Sequence, residues 1–444
     1  MASSITDWRP EDPIFWEHTG KRIAWRTLAI TTISLVFAFA TWFVMSAIVV
    51  RLPGIGFKFT EMQLFWLTAM PGLAGGTLRL VNMFLIPIFG TRKVVAIATL
   101  AKVLPCLGLG FAIMNPQTPF WVFLVLAFLV GHGGGTFSSY MPSTSLFFPK
   151  RLLGTALGIQ AGIGNFGVSL AQFVTPWIIT SAVMGGIFGS AQTFVKNGKS
   201  SPLWLQNAVF WYVPFLLMTA VVAWFLLRSV PVKASFREQL DIFGNKHTYF
   251  CTITYIMTFG AFSGLAAVFP LLINTVYGKF DGAPDPLKYA FLGPLIGSAM
   301  RVLAGPLTDR FGGAIFTQLC GLGLIAGAAV LGFGGLLTPA SLDQFPMFVG
   351  VMLAMFFFTG VGNAATFRQF PVIFSHSPRQ AAGVIGFTAA IAAYGPFLFS
   401  TFIGKSKSAF GTAKPFFIGL LIYCVVATAI NWWFYTRKGA EKPS

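Results

Sequence analysis

The chain has 444 residues, of which 55% are hydrophobic and only 9% are charged, and its mean hydropathy is +0.75. Soluble proteins carry charge on about a quarter of their residues, so this composition excludes a soluble globular protein and indicates a chain that lies in a lipid bilayer. The formal net charge of +18 comes mostly from lysines and arginines that flank apolar segments. Such flanking charges set membrane topology and attract anions, and they predict no nucleic-acid partner.

The chain starts with a polar segment that carries Asp7, Glu11, Asp12 and Glu17, and no cleavable signal precedes the first apolar segment. We therefore expect residues 1–27 to form a cytoplasmic tail. Apolar segments then recur that are long enough for a helix to cross a bilayer, which takes about 20 residues. The twelve predicted spans cover residues 28–50, 61–84, 94–114, 119–147, 153–180, 206–228, 248–273, 288–308, 314–337, 345–374, 381–403 and 415–436.

A polar connection, residues 229–246, divides the twelve spans six and six. This predicts an N-terminal bundle of residues 28–228, a C-terminal bundle of residues 247–436 and a short tail of residues 437–444. With an even number of spans, both termini lie on the same side of the membrane. Lysines and arginines are more frequent in the loops on that side, which favours a cytoplasmic location for both termini and for the central connection.

The two halves of the sequence repeat each other. PGLAGGTLR ends at Arg79 and is followed eleven residues later by Gly90, and GPLIGSAMR ends at Arg301 and is followed eleven residues later by Gly312. The further matching segments are Thr136-Phe137 with Thr366-Phe367, and GIQAGIGNFG (158–167) with GFTAAIAAYG (386–395). Paired repeats that enclose a site near the membrane midplane are typical of secondary transporters.

Four segments resemble a known transporter family. GPLTDRFGG (305–313) resembles the loop signature of major facilitator transporters, and AGIGNFGVSLAQFVTP (161–176) resembles the nitrate signature of the NarK-type nitrate/nitrite porters. DWRPEDPIFW (7–16) and FFPK (147–150) are similar to the same family. The resemblance covers nearly the whole chain and implies an all-α membrane protein, with twelve transmembrane helices in two pseudo-symmetric six-helix bundles, the major facilitator fold.

The resemblance also implies a function. It predicts a carrier of nitrate and nitrite that works by rocker-switch alternating access in a bacterial inner membrane and serves nitrate assimilation; we expect it to be monomeric. The family contains nitrate/nitrite exchangers and proton-coupled nitrate symporters. We favour exchange, because no aspartate or glutamate within the membrane is available as a proton carrier, and symport is the alternative. An anion channel or a membrane-embedded enzyme is less favoured, since the spans offer no metal cluster or acid–base pair; no metal or cofactor is predicted.

Arg79 and Arg301 are the strongest candidates for the substrate site, because each lies well inside an apolar span, at matching positions of the two halves. A charge at that depth is costly unless it faces a cavity or a partner. No carboxylate lies between Glu61 and Glu238, and Asp309 is two turns from Arg301. Two guanidinium groups that face one cavity call for an anion, and their planar forks suit a planar oxyanion. Snorkelling or bonding to backbone carbonyls is the structural alternative. In the resembled family, the two positions clamp the substrate.

Four further residues join the predicted site by resemblance. Phe137 and Phe367 would sandwich the flat anion and keep the site dry, although each could equally be a packing residue. Asn165 lies in the nitrate signature and could hydrogen-bond an anion or a neighbouring helix. Tyr255 matches a family tyrosine that hydrogen-bonds the substrate, and an interhelical bond is its alternative.

Gly162, Gly164 and Gly167 form a G-x-G-x-x-G pattern, but no strand precedes it and no acidic residue follows at the spacing that a dinucleotide site needs. On a helix these glycines make a smooth face along which a neighbour can slide, and the resemblance places Gly164 beside the substrate. The matching segment of span eleven carries Ala390 and Ala392 instead. The sliding contact of that half is therefore left open.

Two basic residues have open assignments. Arg368 follows Phe367, where relatives often carry glutamine, and either adds a third positive group to the cavity or reaches towards the cytoplasm. His132 is the one histidine plainly inside a span and either relays protons or bonds to a neighbouring helix, which we favour.

Overall fold

A computed structural model of the protein describes residues 5–182, 188–196, 198–230 and 237–444. Within these residues, every predicted span corresponds to a helical segment. The segments are α1 (Pro13–Ile48), α2 (Glu61–Asn82), α3 (Leu85–Met114), α4 (Phe120–Phe147), α5 (Lys150–Ile178), α6 (Asn207–Leu226), α7 (Lys246–Tyr277), α8 (Leu287–Leu303 with Gly305–Phe311), α9 (Gly313–Phe333), α10 (Leu342–Ile373), α11 (Arg379–Phe410) and α12 (Lys414–Thr436). An antiparallel hairpin, β1 (Gln192–Lys196) and β2 (Lys199–Leu203), lies between α5 and α6 and adds to the predicted all-α architecture.

The described residues contain ten helices that are long and apolar enough to cross a membrane, and the two pieces of α8, bent by 44°, make an eleventh when they are taken as one span. α5 is 29 residues long and corresponds to the remaining predicted span. It is less apolar than the others because it buries the polar side chains of Gln160, Asn165 and Gln172. The helices are therefore consistent with the predicted twelve.

The first helix begins well before the predicted start of the first span. The Asp12 side chain accepts hydrogen bonds from the backbone amides of Ile14 and Phe15, which caps the helix at its first turn. Trp8 Nε1 donates to the Leu146 carbonyl at 3.0 Å, and Trp16 is buried. The segment before residue 28 is thus packed against the corner between α4 and α5. Its charged residues lower the hydropathy, so the hydropathy of the sequence does not reveal this part of the helix. Of the predicted linker, residues 231–236 lie outside the described residues.

The backbone confirms the internal repeat. Gly90 has φ 77° and ψ 159°, and Gly312 has φ 91° and ψ 149°, so both glycines take the same conformation, which side-chain-bearing residues rarely adopt. Each one ends a short helical piece that follows the arginine of its half. Arg79 and Arg301 are therefore equivalent in local structure as well as in sequence.

One boundary between the halves is formed by α2 and α11. The main chain of Phe397 packs so closely on Gly72 that an added Cβ would lie 2.5 Å from its nitrogen, and the Tyr394 ring packs on Gly76 in the same way. Thr77 Oγ1 and Tyr394 Oη share a hydrogen bond of 2.8 Å. Gly72 and Gly76 are one turn apart and Thr77 follows Gly76, so one face of α2 lies along α11.

The other boundary is formed by α5 against α7 and α8. A Cβ added at Gly162 would lie 2.6 Å from Val302 in α8. Ser169 Oγ donates to the Phe291 carbonyl of α8 at 3.0 Å, and Gln172 donates to a carbonyl of α7 at 2.8 Å. By the internal repeat, α2 corresponds to α8 and α5 corresponds to α11, so the α2–α11 and α5–α8 boundaries are equivalent.

Ion pairs join the two halves on one side of the membrane. We call the side that holds both chain ends the terminal side and the opposite one the far side. On the far side, ion pairs join Arg51 to Asp285 at 2.6 Å and Glu61 to Lys407 at 3.0 Å. On the terminal side, the inward faces of α5 and α11 have open space at Gly158 and Gly386, where an added Cβ would meet no other described atom within 4 Å. The described conformation is therefore closed by ion pairs on the far side and has open space at these two positions on the terminal side.

Candidate anion site between the two halves

The two predicted arginines lie in equivalent environments, one in each half. The Arg79 side chain in α2 is 0% exposed and the Arg301 side chain in α8 is 6% exposed. The Cζ atom of Arg79 lies 4.6 Å from the centre of the Phe137 ring, and that of Arg301 lies 4.6 Å from the centre of the Phe367 ring. The structure thus brings each predicted arginine onto the face of its predicted phenylalanine, where ring and cation attract each other.

A third phenylalanine links the two arginines. The Phe259 ring centre lies 5.2 Å from Cζ of Arg79 and 6.0 Å from Cζ of Arg301. Phe259 lies in a π-helical turn of α7, Ile256–Gly260, and such turns often mark functional sites. The sequence signal for it was weak, because Phe259 is one of 50 phenylalanines. Its position shows that both guanidinium groups approach one common point between the halves.

The two arginines differ in their hydrogen bonds. Arg79 donates from Nε to the Gly134 carbonyl at 2.9 Å and from Nη1 to the Ala389 carbonyl at 2.6 Å. Its Nη2, and both Nη1 and Nη2 of Arg301, are buried without a hydrogen-bond partner among the described residues. The structural alternative, bonding to backbone carbonyls, therefore accounts for two of the nitrogens of Arg79 and for neither terminal nitrogen of Arg301.

Tyr255 completes the aromatic lining in the C-terminal half. Its ring stacks on Phe367 at 5.3 Å between centres and on Phe259 at 5.5 Å. Its hydroxyl interacts with the charges of both arginines and lies within side-chain hydrogen-bonding reach of Arg301. Within the described part of the chain, no hydrogen bond of good geometry satisfies this hydroxyl. Tyr255 is thus brought to the predicted site, beside Arg301.

Asn165 lies on the face of α5 that meets the other half. The neighbouring positions on that face are Gly162, which packs on Val302, and Ser169, which bonds to the carbonyl of Phe291. Asn165 is fully buried, and neither its Nδ2 nor its Oδ1 finds a partner in the described residues. The interhelical bond that was its alternative is therefore not formed in this conformation.

Gly164 faces a different way. A Cβ at Gly164 would lie 2.6 Å from Leu35, and one at Gly167 would collide with the Val36 carbonyl, both in α1. These glycines let α5 approach α1 closely within the N-terminal half. The contact of Gly164 with substrate stays a prediction.

Known proteins resemble the chain over nearly its whole length. A family model described as Major Facilitator Superfamily matches residues 30–400. Over 440 residues the chain is 61% identical to the probable nitrate/nitrite antiporter NarK2 of Thermus thermophilus, covering 99% of this chain and 98% of that protein. Over 458 residues it is 35% identical to the nitrate/nitrite transporter NarU of Escherichia coli (strain K12), covering 98% and 96%. The chain belongs to the NarK-type family of the Major Facilitator Superfamily.

Solved structures of more distant transporters share the fold. A bacterial homolog to the human lysosomal transporter Spinster, in an inward-facing and unoccupied conformation, matches with a TM-score of 0.69 at 16% identity, covering 93% of this chain and 97% of that one. The nucleoside transporter NupG matches with a TM-score of 0.63 at 11% identity, covering 91% and 98%. As a NarK-type member with the major facilitator fold, the chain is a multi-pass membrane transporter.

Arg368 does not join the arginine pair in this NarK-type chain. Its Nε lies 3.0 Å from Asp309 Oδ1, and the two side chains are 40% and 70% exposed. Asp309 belongs to the loop signature GPLTDRFGG. The described conformation therefore favours the second of the two predicted assignments, in which Arg368 reaches towards the terminal side.

Besides Phe259, Trp42 and the buried Lys102 of the N-terminal half were missed by the sequence analysis. Trp42 packs its ring against Arg79, with Cζ 5.4 Å from the ring centre, and donates to the Pro71 carbonyl at 2.8 Å. Lys102 is only 1% exposed inside the N-terminal half. The lysine within span three was the available signal for it, whereas Trp42 is one of 12 tryptophans.

Lys102 occupies a break in α3. Its backbone amide bonds to the Thr99 carbonyl, so the Ala98 carbonyl loses its helical partner, and Lys102 Nζ donates to that carbonyl at 2.7 Å. His132 lies beside the same carbonyl. Its Nε2 is buried without a partner among the described atoms. The helix break thus explains how a lysine is held here, and it puts two protonatable bases side by side.

Proposed function

We propose that this protein exchanges nitrate for nitrite across the bacterial cytoplasmic membrane. The observation that carries the proposal is the approach of Arg79 and Arg301, from opposite halves, to the single ring of Phe259. Like charges held together in a dry interior repel each other, and a monovalent anion between them relieves that repulsion. The free N–H groups of the pair are donors, which an oxyanion accepts in a bidentate manner.

The shape of the lining supports a small planar anion. Phe137 and Phe367 cover the two guanidinium groups, and the stacked ring of Tyr255 extends the aromatic surface. Nitrate and nitrite are flat, weakly hydrated anions that fit between ring faces better than tetrahedral or strongly hydrated ones do. The names of the relatives, a probable nitrate/nitrite antiporter and a nitrate/nitrite transporter, support the same substrates.

Transport would proceed by rocking of the two halves about this point. The ion pairs Arg51–Asp285 and Glu61–Lys407 close the far side, while the halves stand apart at Gly158 and Gly386. If the termini are cytoplasmic, as the lysine and arginine bias favours, this conformation accepts substrate from the cytoplasm. One chain supplies both arginines, so a monomer suffices for transport.

Exchange is favoured over proton coupling by the composition of the membrane interior. No carboxylate lies between Glu61 and Glu238, and Asp309 is exposed and paired with Arg368. Proton-coupled symport is the second candidate, favoured by one observation: the two bases His132 and Lys102 flank the same carbonyl group.

Counterflow tests the proposal. Liposomes that contain the purified carrier and a high internal concentration of unlabelled nitrite should take up labelled nitrate transiently above its equilibrium level. Chloride or sulfate inside the vesicles should not support this overshoot. Saturable uptake without any dependence on an internal anion would contradict exchange, and non-saturating currents would indicate a channel.

A further inference from the structure

A second buried amide lies in the C-terminal half, outside every motif discussed so far. Asn363 in α10 is 0% exposed. Neither Nδ2 nor Oδ1 of its amide has a hydrogen-bond partner within the residues that the structure describes. Buried amides are almost always satisfied, so one that is not points to a partner that is absent from this conformation.

The packing of α10 on α8 indicates which way Asn363 faces. Gly360 packs directly on the Gly297 carbonyl, and seven residues further along α10, Phe367 carries the Arg301 guanidinium on its ring at 4.6 Å. Residues 360, 363 and 367 share one face of a helix. The side chain of Phe367 also leans back over the preceding turn, which contains Asn363. Asn363 therefore lies between the α8–α10 contact and the arginine.

Each of the neighbouring unpaired groups carries at least one hydrogen-bond donor. Among the described residues, the side-chain atoms without partners include Nη1 and Nη2 of Arg301, Oη of Tyr255 and Oγ of Ser298, one turn before Arg301. The hydroxyls of Tyr255 and Ser298 can accept as well as donate, and within the C-terminal half the Asn363 carbonyl oxygen is the pure acceptor of this group. Once it accepts from one N–H of Arg301, the other N–H groups of Arg301 and the Asn363 NH2 group still need acceptors. An anion with several oxygen atoms satisfies that need.

We propose that Asn363 is a specificity-determining residue that favours nitrate over nitrite. Its Oδ1 accepts from the Arg301 side chain, and its Nδ2 donates to an anion oxygen that the two arginines do not hold. Nitrate has a third oxygen for this bond and nitrite has only two, so the bond contributes mainly to nitrate. This inference rests on the proposed function and adds to it the choice between the two anions.

The test compares the two anions on one variant. Asn363→Leu keeps the volume of the side chain and removes both hydrogen-bonding groups. We expect its KM for nitrate to rise roughly tenfold, as the loss of one hydrogen bond to a charged group gives, and its KM for nitrite to change by less than about threefold. Thr359→Val is the matched control, because Thr359 is buried one turn earlier on α10 and its hydroxyl bonds only within the helix, to the Phe356 carbonyl at 2.8 Å. Its ratio of the two KM values should stay at the wild-type value.

Two outcomes would overturn the inference: an equal rise of both KM values in Asn363→Leu, which indicates a structural role, or no change in either. If Asn363→Leu does not fold, Asn363→Ser is used in the same test. The serine side chain is shorter than the asparagine side chain, so its hydroxyl cannot reach both Arg301 and the anion. The increase in melting temperature that nitrate and nitrite each give to the purified variant compares the two affinities independently of transport. The wild-type carrier is measured in parallel, and its failure to bind either anion would refute the proposed function, whatever Asn363 does.

Discussion

Arg79 donates a 2.6 Å hydrogen bond from Nη1 to the main-chain carbonyl of Ala389, across the boundary between the two halves. In the described conformation Arg79 is therefore held by both halves, because its Nε also bonds to Gly134 in its own half. The terminal nitrogens of Arg301 have no such partners among the described residues. An entering anion would meet a free fork at Arg301 and compete with Ala389 for Arg79. If the anion binds at Arg79 as proposed, its binding is linked to the α2–α11 contact through one side chain.

Replacement of either arginine by lysine tests the clamp. Lysine keeps the charge but cannot form two parallel hydrogen bonds, and each lost charge-assisted bond is worth about 1.5–3 kcal/mol. Arg79→Lys and Arg301→Lys should therefore each lower nitrate uptake by tenfold or more at normal expression. Arg92→Lys is the control, since Arg92 is on the surface and bonds to the Trp224 carbonyl. Near-normal uptake by either site variant would mean that the anion binds elsewhere.

Phe259 should be as important as the paired phenylalanines. Its ring faces both guanidinium groups, and a buried cation–π contact is worth roughly 1–2 kcal/mol. We expect Phe259→Leu to weaken nitrate binding about thirtyfold or more, because both contacts are lost together. Phe269→Leu is a matched control in the same helix, where the buried ring packs on Phe348 and Phe356. If both substitutions weaken nitrate affinity equally in a binding titration, Phe259 is only a packing residue.

The sequence singled out the two arginines that the structure brings together, because charge inside a membrane is rare. Arg79 and Arg301 stand out in apolar spans, and the repeat then selects Phe137 and Phe367 from 50 phenylalanines. The same repeat located Gly90 and Gly312, whose shared backbone conformation the structure confirms.

The rest of the site depends on contacts that a sequence pattern does not contain. Ala389 takes part through its carbonyl group, which every residue has. Phe259 and Trp42 lie in helices rich in aromatic residues, where no periodicity marks them. The direction of the Arg368 side chain depends on whether Asp309, on another helix, lies within ion-pair distance, as it does here at 3.0 Å. Such partners become visible only when the helices are packed.

The far-side ion pairs should hold the terminal-side-open conformation. Arg51 and Asp285 are mostly buried together, so Asp285→Asn should shift the balance towards the opposite conformation by about 1 kcal/mol, or roughly fivefold. The shift is measured as faster labelling of a cysteine introduced on the far side near the boundary. A double variant that exchanges the two charges, Arg51→Asp with Asp285→Arg, should restore the slow rate of labelling. An unchanged rate in Asp285→Asn would show that packing alone closes this side.

Both chain ends should lie in the cytoplasm. The Ala314 amide donates to the main-chain oxygen of Ser444 at 2.8 Å, and the lysine and arginine bias assigns that side to the cytoplasm. Reporter fusions at each terminus, active only in one compartment, measure this directly. Periplasmic activity of either fusion would reverse the orientation, and with it the compartment from which the described conformation takes its substrate.

A bound anion, and no proton, should allow the carrier to change between its two conformations. Two guanidinium groups about 8 Å apart repel by about 2 kcal/mol at an effective dielectric constant of about 20, and closing the halves around an empty site would raise that cost. Nitrate and nitrite carry the same charge, so either one relieves it on the return step. In liposomes, internal nitrite should therefore accelerate nitrate entry, and collapse of a proton gradient should hardly change the rate. Accumulation of nitrate in vesicles without an internal anion substrate, driven by an inward proton gradient, would contradict exchange and make His132 and Lys102 the residues to test.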